Sequence, residues 1–329
     1  MSTTETTYVI PEKRQLTTKP RFSDKVFRGV VTGGGLSSLV ILGLIFGFLL
    51  YQGFDIFKSQ GLDFITTSQW DITLDESGNV VSSKFGLAGM LIGTILCSFV
   101  AVLIAVPISV ATALYLSFYA PEWLKKPMVT IIDLMAAFPS LLFGIWAYFI
   151  LMPSGAYWAK LLNKYLGFLP FFKNELRVFD SSPFIASLIL AVMIIPIVTS
   201  ISREVFAQAP LDRVQAAYAL GATRWAMIRA VVIPHGRNGV IGGAMLGLGR
   251  AMGETVAVYT VLNIVFAINW QILFGVGGNV ASLILLKFGE ASDYEIKGLM
   301  AAGLVLFVLT LLVNYASDLL VRSFGGKGK

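Results

Sequence analysis

Residues 214–234 read VQAAYALGATRWAMIRAVVIP, and they lie between two strongly apolar stretches of the chain. This pattern predicts two short helices, because Gly221 favours the turn that ends one helix and Thr223 can cap the next. The second helix is expected to end at Pro234, since proline lacks the amide that would continue the hydrogen-bond ladder. A short helical pair held at both ends by apolar runs is typical of a loop between membrane spans.

The composition supports a membrane protein. Of the 329 residues, 56% are hydrophobic and only 13% are charged, and the mean hydropathy is +0.77. Soluble domains carry about 25% charged residues, so a soluble fold is excluded. The single cysteine, Cys97, permits no internal disulfide. The first 28 residues are polar and the apolar run after them is too long for a cleaved signal, so we expect the first span to be the targeting signal.

Six apolar runs are long enough to cross a bilayer, which requires about 20 residues each. We therefore predict an all-α polytopic membrane protein with six transmembrane helices, near 29–52, 89–119, 128–152, 183–202, 238–267 and 299–320. The expected organisation is an N-terminal tail, a transmembrane domain and a C-terminal tail, at residues 1–28, 29–320 and 321–329.

Lysine and arginine predict the orientation, because they are enriched in cytoplasmic segments. The N-terminal tail, the 120–127 loop, the 203–237 loop and the C-terminal tail contain six, two, five and three of them. The alternate loops 53–88, 153–182 and 268–298 contain two, four and two. We therefore expect both termini and the 203–237 loop to be cytoplasmic.

The 203–237 loop has three possible roles. Two helices around a glycine have the outline of a DNA-binding helix-turn-helix, but both ends are tethered to membrane spans. A plain connecting loop is a second interpretation. The second helix carries Trp225, Met227 and Ile228, an apolar surface that favours a protein partner over nucleic acid.

The spacing within this loop resembles the "EAA" signature of ABC importer permeases. That signature runs Glu-Ala-Ala, three residues, Gly, nine residues, Ile-x-Leu-Pro, and this chain departs from it at Gln215, Val231 and Ile233. The resemblance implies a coupling helix that inserts into a cleft of a separate ATPase subunit. The residues assigned to this coupling site are Gln215, Ala216, Ala217, Gly221, Arg224 and Pro234.

The next run, "NGVIGGAMLGLGRAMGETVAVYTV", contains two charges. In a continuous helix Gly243, Gly247, Arg250 and Glu254 share one face. Arg250 would then lie about 18 Å from Asn238, near the middle of the bilayer. An isolated charge there costs about 2.5–3.5 kcal/mol, so the residues are either an i, i+4 ion pair or part of a substrate pathway in which arginine binds an oxyanion.

Other motifs are weaker. Pro139-Ser140 is expected to break the third span and free backbone groups to line a cavity, which makes Ser140 a third candidate pathway residue. His235 is the only histidine, so no metal site is predicted. The glycines of "GLGRAMG" miss the dinucleotide-binding spacing and no Walker lysine motif occurs, so we expect no enzymatic activity and no cofactor in this chain.

Two segments, "LGLGRAMGETVAV" (246–258) and "LMAAFPSLLFGIWAYF" (134–149), resemble permease subunits of the phosphate-specific transport system, in particular its C-type subunit. The resemblance implies that Arg250 and Glu254 act in phosphate transport. It also implies a type I ABC importer permease fold with one helix added before a five-helix core. The implied partners are a homologous permease, two ATPase subunits that hold ATP and Mg²⁺, and an extracytoplasmic phosphate-binding protein.

The prediction is therefore the permease subunit of an ATP-driven phosphate importer in a bacterial inner membrane, without nucleic-acid binding. An importer for another oxyanion, molybdate or sulfate, is an alternative, because both also need anion donors. An ion-coupled secondary carrier that uses Arg250 and Glu254 as a proton relay is a further alternative, which the coupling loop disfavours.

Overall fold

A computed structural model describes residues 21–74, 80–175, 177–275 and 277–325. Of the predicted tails at 1–28 and 321–329, residues 1–20 and 326–329 lie outside these ranges, and the remainder is helical from Phe22 in α1 and to Gly325 in α13. The α-helices are α1 Phe22–Gln60, α2 Asp63–Thr66, α3 Ala88–Phe118, α4 Glu122–Ala136, α5 Ser140–Trp146, α6 Met152–Leu166, α7 Pro183–Ala207, α8 Leu211–Ala219, α9 Arg224–Met227, α10 Ile233–Gly253, α11 Val256–Val261, α12 Val280–Phe288 and α13 Asp293–Gly325. Two π-helical turns, Ala147–Leu151 and Ile228–Val232, and a 3₁₀ turn, Pro170–Phe172, join some of them.

The polytopic all-helical prediction is confirmed in its main features. Within the described residues, five helical segments are long and apolar enough to cross a membrane: Phe22–Gln60, Ala88–Phe118, Ser140–Leu166, Pro183–Ala207 and Asp293–Leu319. The chain divides into two compact units at residues 48 and 49. The first unit contains the amino-terminal part of α1, whose side chains are exposed along its length.

The third span differs from the predicted 128–152. Helix α4 ends at Ala136 and α5 begins at Ser140, because Pro139 is extended (φ −58°, ψ 136°) and cannot continue the helix. The break at Pro139-Ser140 is thus confirmed, but it makes α4 a separate helix and moves the apolar segment to 140–166. Helix α4 packs on α7, where the Ser200 hydroxyl donates to Asp133 Oδ1 at 3.3 Å.

The fifth predicted span, 238–267, is not one continuous helix. Helix α10 ends at Gly253, Glu254 is extended (φ −71°, ψ 125°), and the short α11 begins at Val256. This segment is not among the five helical segments of the described chain that are long and apolar enough to cross a membrane. It is nevertheless packed in the bundle, since α10 contacts α3, α7 and α13.

The bundle is built around α3 and α7, which pack along much of their length. Their largest core cluster buries branched residues of α7 against small residues of α3 and the start of α11. The α7 residues are Ile185, Ile189, Ile194 and Val198, and those facing them are Ala101, Ala105, Ala257 and Val258. Small residues on α3 allow the branched residues of α7 to approach its backbone. This core fixes the position of α10 and of the break after it.

A β-hairpin is the exception to the all-α prediction. Strands β1 Trp70–Leu74 and β2 Val80–Phe85 pair antiparallel, with Trp70 opposite Phe85. Alternating and β-branched residues in both strands favour this pairing. The Trp70 indole nitrogen donates to Glu295 Oε1 at 2.7 Å, which ties the hairpin to the start of α13. The all-α prediction did not include this hairpin.

Candidate functional site

A cavity of about 910 Å³ opens between α7, α10 and α13. Most of its wall is one face of α10. Its lining residues are Ile197, Asn238, Gly242, Met245, Leu246, Gly249, Arg250, Asn314 and Asp318. The cavity therefore extends from the first turns of α10 to its last turn, where the predicted pathway residue Arg250 lies.

Arg250 occupies a favourable place for a cation. It lies in the last turn of α10, where the partial negative charge of the helix C-terminus stabilises a positive side chain. Its Nε atom is buried and has no hydrogen-bond partner among the described residues. A buried, unsatisfied donor is costly, so this guanidinium is suited to accept an anionic ligand from the cavity.

Helix α10 has two glycine faces with different surroundings. One face packs on α7: a Cβ added at Gly239 would clash with Val205 Cγ2, and one added at Gly247 would lie 2.5 Å from Ile194 Cγ2. The other face contains Gly242 and Gly249, where an added Cβ meets nothing within 4 Å. The first face lets α10 and α7 approach closely, and the second keeps the cavity open beside Arg250.

Glu254 does not share a face with Arg250, contrary to the prediction. The helix has ended before it, and its side chain is buried, with 8% exposed. Its Oε1 accepts from the Ala257 amide at 3.4 Å, so the carboxylate lies at the N-terminus of α11, where the helix dipole favours negative charge. Within the described chain no ion pair joins Glu254 to Arg250. The i, i+4 ion-pair interpretation is therefore wrong.

A buried polar network holds the break between α10 and α11. The Asn279 amide nitrogen donates to the Glu254 carbonyl at 2.8 Å, and Asn279 Oδ1 caps α12 by accepting from the Ser282 amide at 2.8 Å. Thr94 Oγ1 of α3 accepts from the Val280 amide at 3.1 Å. Sequence reasoning missed Asn279. An asparagine before an apolar run is a cap signal, but nothing local indicates its bond to a residue 25 positions earlier.

Ser140 is not brought to the Arg250 cavity. It is the first residue of α5, is partly exposed, and is absent from the described cavity lining. Helix α5 instead packs on α11, where a Cβ added at Gly144 would lie 2.7 Å from Thr260 Oγ1. The role predicted for Ser140 has no structural support from its position.

The predicted coupling loop forms the expected helix pair, although α7 extends to Ala207 and α10 begins at Ile233. Gly221 has φ +80°, the left-handed conformation that ends α8, and Thr223 Oγ1 accepts from the Ala226 amide at 3.3 Å. Both local predictions are confirmed. Gln215 and Ala216 are exposed on α8, whereas Ala217 packs against the chain's own core.

Arg224 connects this loop to the bundle. Its guanidinium donates to the carbonyl of Phe118, the last residue of α3, at 2.9 Å and lies 5.4 Å from the centre of the Tyr119 ring. The side chain predicted to meet a partner therefore also binds the end of α3. Movement of the loop would be transmitted to α3 through this contact.

Pro234 does not end the helix, contrary to the prediction. Helix α9 continues through the π-helical turn Ile228–Val232 into α10, in which Pro234 lies near the first position. Hydrogen bonds in a π-turn reach one residue further, which accommodates the missing proline amide. The coupling loop is thus joined to the cavity helix without a flexible link.

The coupling loop also exposes four apolar side chains, of which only Trp225 was predicted to meet a partner. These are Leu211, Tyr218, Leu220 and Trp225, with Leu220 88% exposed. Beneath them, Met227, Ile228 and Val232 of the same segment are buried against Phe206 and Leu114. One face of the loop is therefore fixed to the bundle and the opposite face is available for another protein.

A bundle of membrane-length helices, a cavity lined by a partly buried arginine and a surface helix pair joined rigidly to that cavity define a membrane permease. The chain belongs to the family of binding-protein-dependent transport system inner membrane components, whose model matches residues 105–326. It is thus a multi-pass inner-membrane protein.

Similar proteins include two curated relatives. The chain is 40% identical to the phosphate transport system permease protein PstC 2 of Mycobacterium tuberculosis, over 93% of each chain. It is 36% identical to the phosphate transport system permease protein PstC of Pasteurella multocida, over 90% of this chain and 91% of the relative. Among solved structures, the inward-facing MetNI methionine ABC transporter matches with a TM-score of 0.50 at 18% identity, covering 70% of this chain and 92% of that one. The predicted type I importer permease fold is confirmed.

Proposed function

We propose that this chain is the permease subunit of an ATP-driven importer that carries inorganic phosphate across the inner membrane. Similarity to phosphate transport permeases over nine-tenths of the chain supports this substrate. The observation that carries the proposal is the buried, unpartnered Nε of Arg250 in the wall of the α10–α13 cavity. The planar guanidinium can offer two parallel donors to one phosphate.

The position of Arg250 suits transport better than permanent binding. One cation at the end of a largely apolar cavity attracts a phosphate, but the lining also includes the carboxylate of Asp318. A negative group in the same cavity limits the affinity, and a transported ion must be able to leave. Phosphate would bind near Arg250 and then move along the α10 face.

The energy source would be two ATPase subunits, which hold ATP and Mg²⁺ and dock on the 211–234 helices. The exposed Leu211, Leu220 and Trp225 support this contact. ATP binding would close the ATPase dimer and draw these helices toward those of a homologous second permease. Because the helix runs without a gap from α9 into α10, the movement would reach Arg250 directly.

The remaining partners follow from the same proposal. With both termini and the coupling loop in the cytoplasm, the hairpin and the loop after α6 face outward, where an extracytoplasmic phosphate-binding protein would deliver the substrate. The chain itself would have no catalytic role, because hydrolysis would occur in the ATPase subunits.

The test is uptake of labelled phosphate by proteoliposomes that contain the complete importer. The proposal predicts uptake that requires ATP, the ATPase subunits and the binding protein, and that excess sulfate or molybdate does not inhibit. Uptake by the chain alone without ATP would indicate a secondary carrier. If molybdate or sulfate inhibited uptake at concentrations as low as those at which phosphate itself is taken up, that oxyanion would be assigned as the substrate.

A further inference from the structure

A second cavity, of about 570 Å³, lies beside α11 and the residues that follow it. Its lining residues are Ile145, Tyr148, Phe149, Tyr259, Thr260, Leu262, Asn263, Ile264 and Leu286. Arg250 precedes the break at Glu254, and the α11 residues of this second cavity follow it. The chain segment before the break therefore lines the first cavity, and the segment after the break lines the second.

The wall of this cavity is held in place by buried hydrogen bonds. The Ser181 hydroxyl accepts from the Asn263 amide and donates to the Val261 carbonyl, both at 3.0 Å, and Ser181 is buried. The Thr260 hydroxyl donates to the Ala257 carbonyl at 2.9 Å. These contacts fix the backbone from which Tyr259 and Asn263 extend into the cavity.

Three polar side chains of the lining remain without a partner. Within the described residues, no hydrogen bond is made by the hydroxyls of Tyr148 and Tyr259 or by the side-chain amide of Asn263. Tyr148 lies in the π-helical turn Ala147–Leu151, a distortion that is frequent at functional sites. The side chains of Tyr148 and Tyr259 are 54% and 43% exposed and Asn263 is also exposed, so their donors are open to a ligand in the cavity.

We propose that Tyr148, Tyr259 and Asn263 form an outer oxyanion subsite, which phosphate occupies before it passes the break and reaches Arg250. This inference rests on the proposed phosphate transport. The described lining contains no carboxylate that would repel the anion and no cation that would retain it. Neutral hydroxyl and amide donors bind an oxyanion weakly enough for it to move on.

The test removes the donors and keeps the shape of the cavity. Tyr148→Phe and Tyr259→Phe, separately and together, each delete one hydroxyl, and Phe149→Leu alters the same lining without removing a donor. We expect each single tyrosine variant to lower the initial rate of ATP-dependent phosphate uptake about tenfold and the double variant about 100-fold, because each lost bond to an anion reduces occupancy about tenfold. Complex assembly and ATP hydrolysis should stay within about twofold of the unmodified importer.

The outcomes separate this inference from the proposed function. The subsite is wrong and the function stands under one set of results. In that case the unmodified importer takes up phosphate, Arg250→Gln abolishes uptake, and all the tyrosine variants take up phosphate at the unmodified rate. If the tyrosine variants reduce co-purification of the second permease, the cavity is a subunit contact and the inference is overturned. If the unmodified importer takes up no phosphate, both proposals fail. An equal loss with Phe149→Leu would indicate packing and overturn the subsite.

Discussion

The two glycine faces of α10 lead to a prediction about a matched pair of variants, Gly247→Ala and Gly249→Ala. Both glycines lie in the same helix, two residues apart, so the gain in helix propensity is the same. They differ in their surroundings. A Cβ at position 247 would lie 2.5 Å from Ile194 Cγ2 and 3.3 Å from Val198 Cγ2, whereas one at position 249 meets nothing within 4 Å.

The magnitude follows from those distances. Ile194 and Val198 are β-branched residues in a helix, with one preferred rotamer, so neither methyl group can turn away. Overpacking of this kind costs about 1–3 kcal/mol, and the change from glycine to alanine in a helix returns about 1 kcal/mol. Gly247→Ala is therefore expected to be less stable than Gly249→Ala by about 1–3 kcal/mol.

Thermal unfolding of the two variants in detergent measures this difference. At about 2–4 °C per kcal/mol, the Tm of Gly247→Ala should lie about 2–12 °C below that of Gly249→Ala. Equal Tm values would show that α10 does not pack on α7 through Gly247, and the assignment of the two faces would be refuted.

Variants at three further positions, Gly221, Arg224 and Asn279, test the coupling loop and the break. Gly221→Val forces a β-branched residue to φ +80°, which costs about 1–3 kcal/mol, and should raise the ATP hydrolysed per phosphate transported, whereas Gly221→Asn, which tolerates this φ, should not. Arg224→Ala removes the bond to the Phe118 carbonyl and should likewise weaken coupling while the complex still assembles; unchanged coupling would leave Arg224 without the role assigned here. Asn279→Asp keeps the cap on α12 but deletes the donor to the Glu254 carbonyl, and the buried unpaired carbonyl should lower stability by about 1–3 kcal/mol, whereas a Tm equal to that of the unmodified protein would contradict the network.

Local chemistry in the sequence predicted several features of the fold. The apolar runs indicated most of the membrane helices, Pro139 indicated the break before α5, and Gly221 and Thr223 indicated the turn and cap of the coupling loop. The break, the turn and the cap depend on residues within one turn of the position concerned, and each membrane helix depends on its own continuous run. Such signals can be read without knowledge of the tertiary structure.

Some of the features that were missed depend on distant residues, and others on a neighbouring change of helix type. The apolar run after Glu254 suggested a continuous helix, but its backbone at the break is satisfied by Asn279, which only the folded chain brings near. Pro234 lies inside a helix because a π-turn precedes it, and the separation of Arg250 from Glu254 follows from the break. Arg250, singled out by the period of the sequence, lines the cavity, but the same period placed Glu254 on the wrong face.

The most direct test of the account is the initial rate of ATP-dependent phosphate uptake by the assembled importer that carries Arg250→Gln. Arg28→Gln, at an exposed position of α1, is the matched control for the loss of one positive charge. Loss of a bidentate, charge-assisted contact should lower uptake about 100-fold or more without loss of assembly, and the control should be unchanged. An Arg250→Gln importer that assembles and takes up phosphate at the unmodified rate would contradict the account.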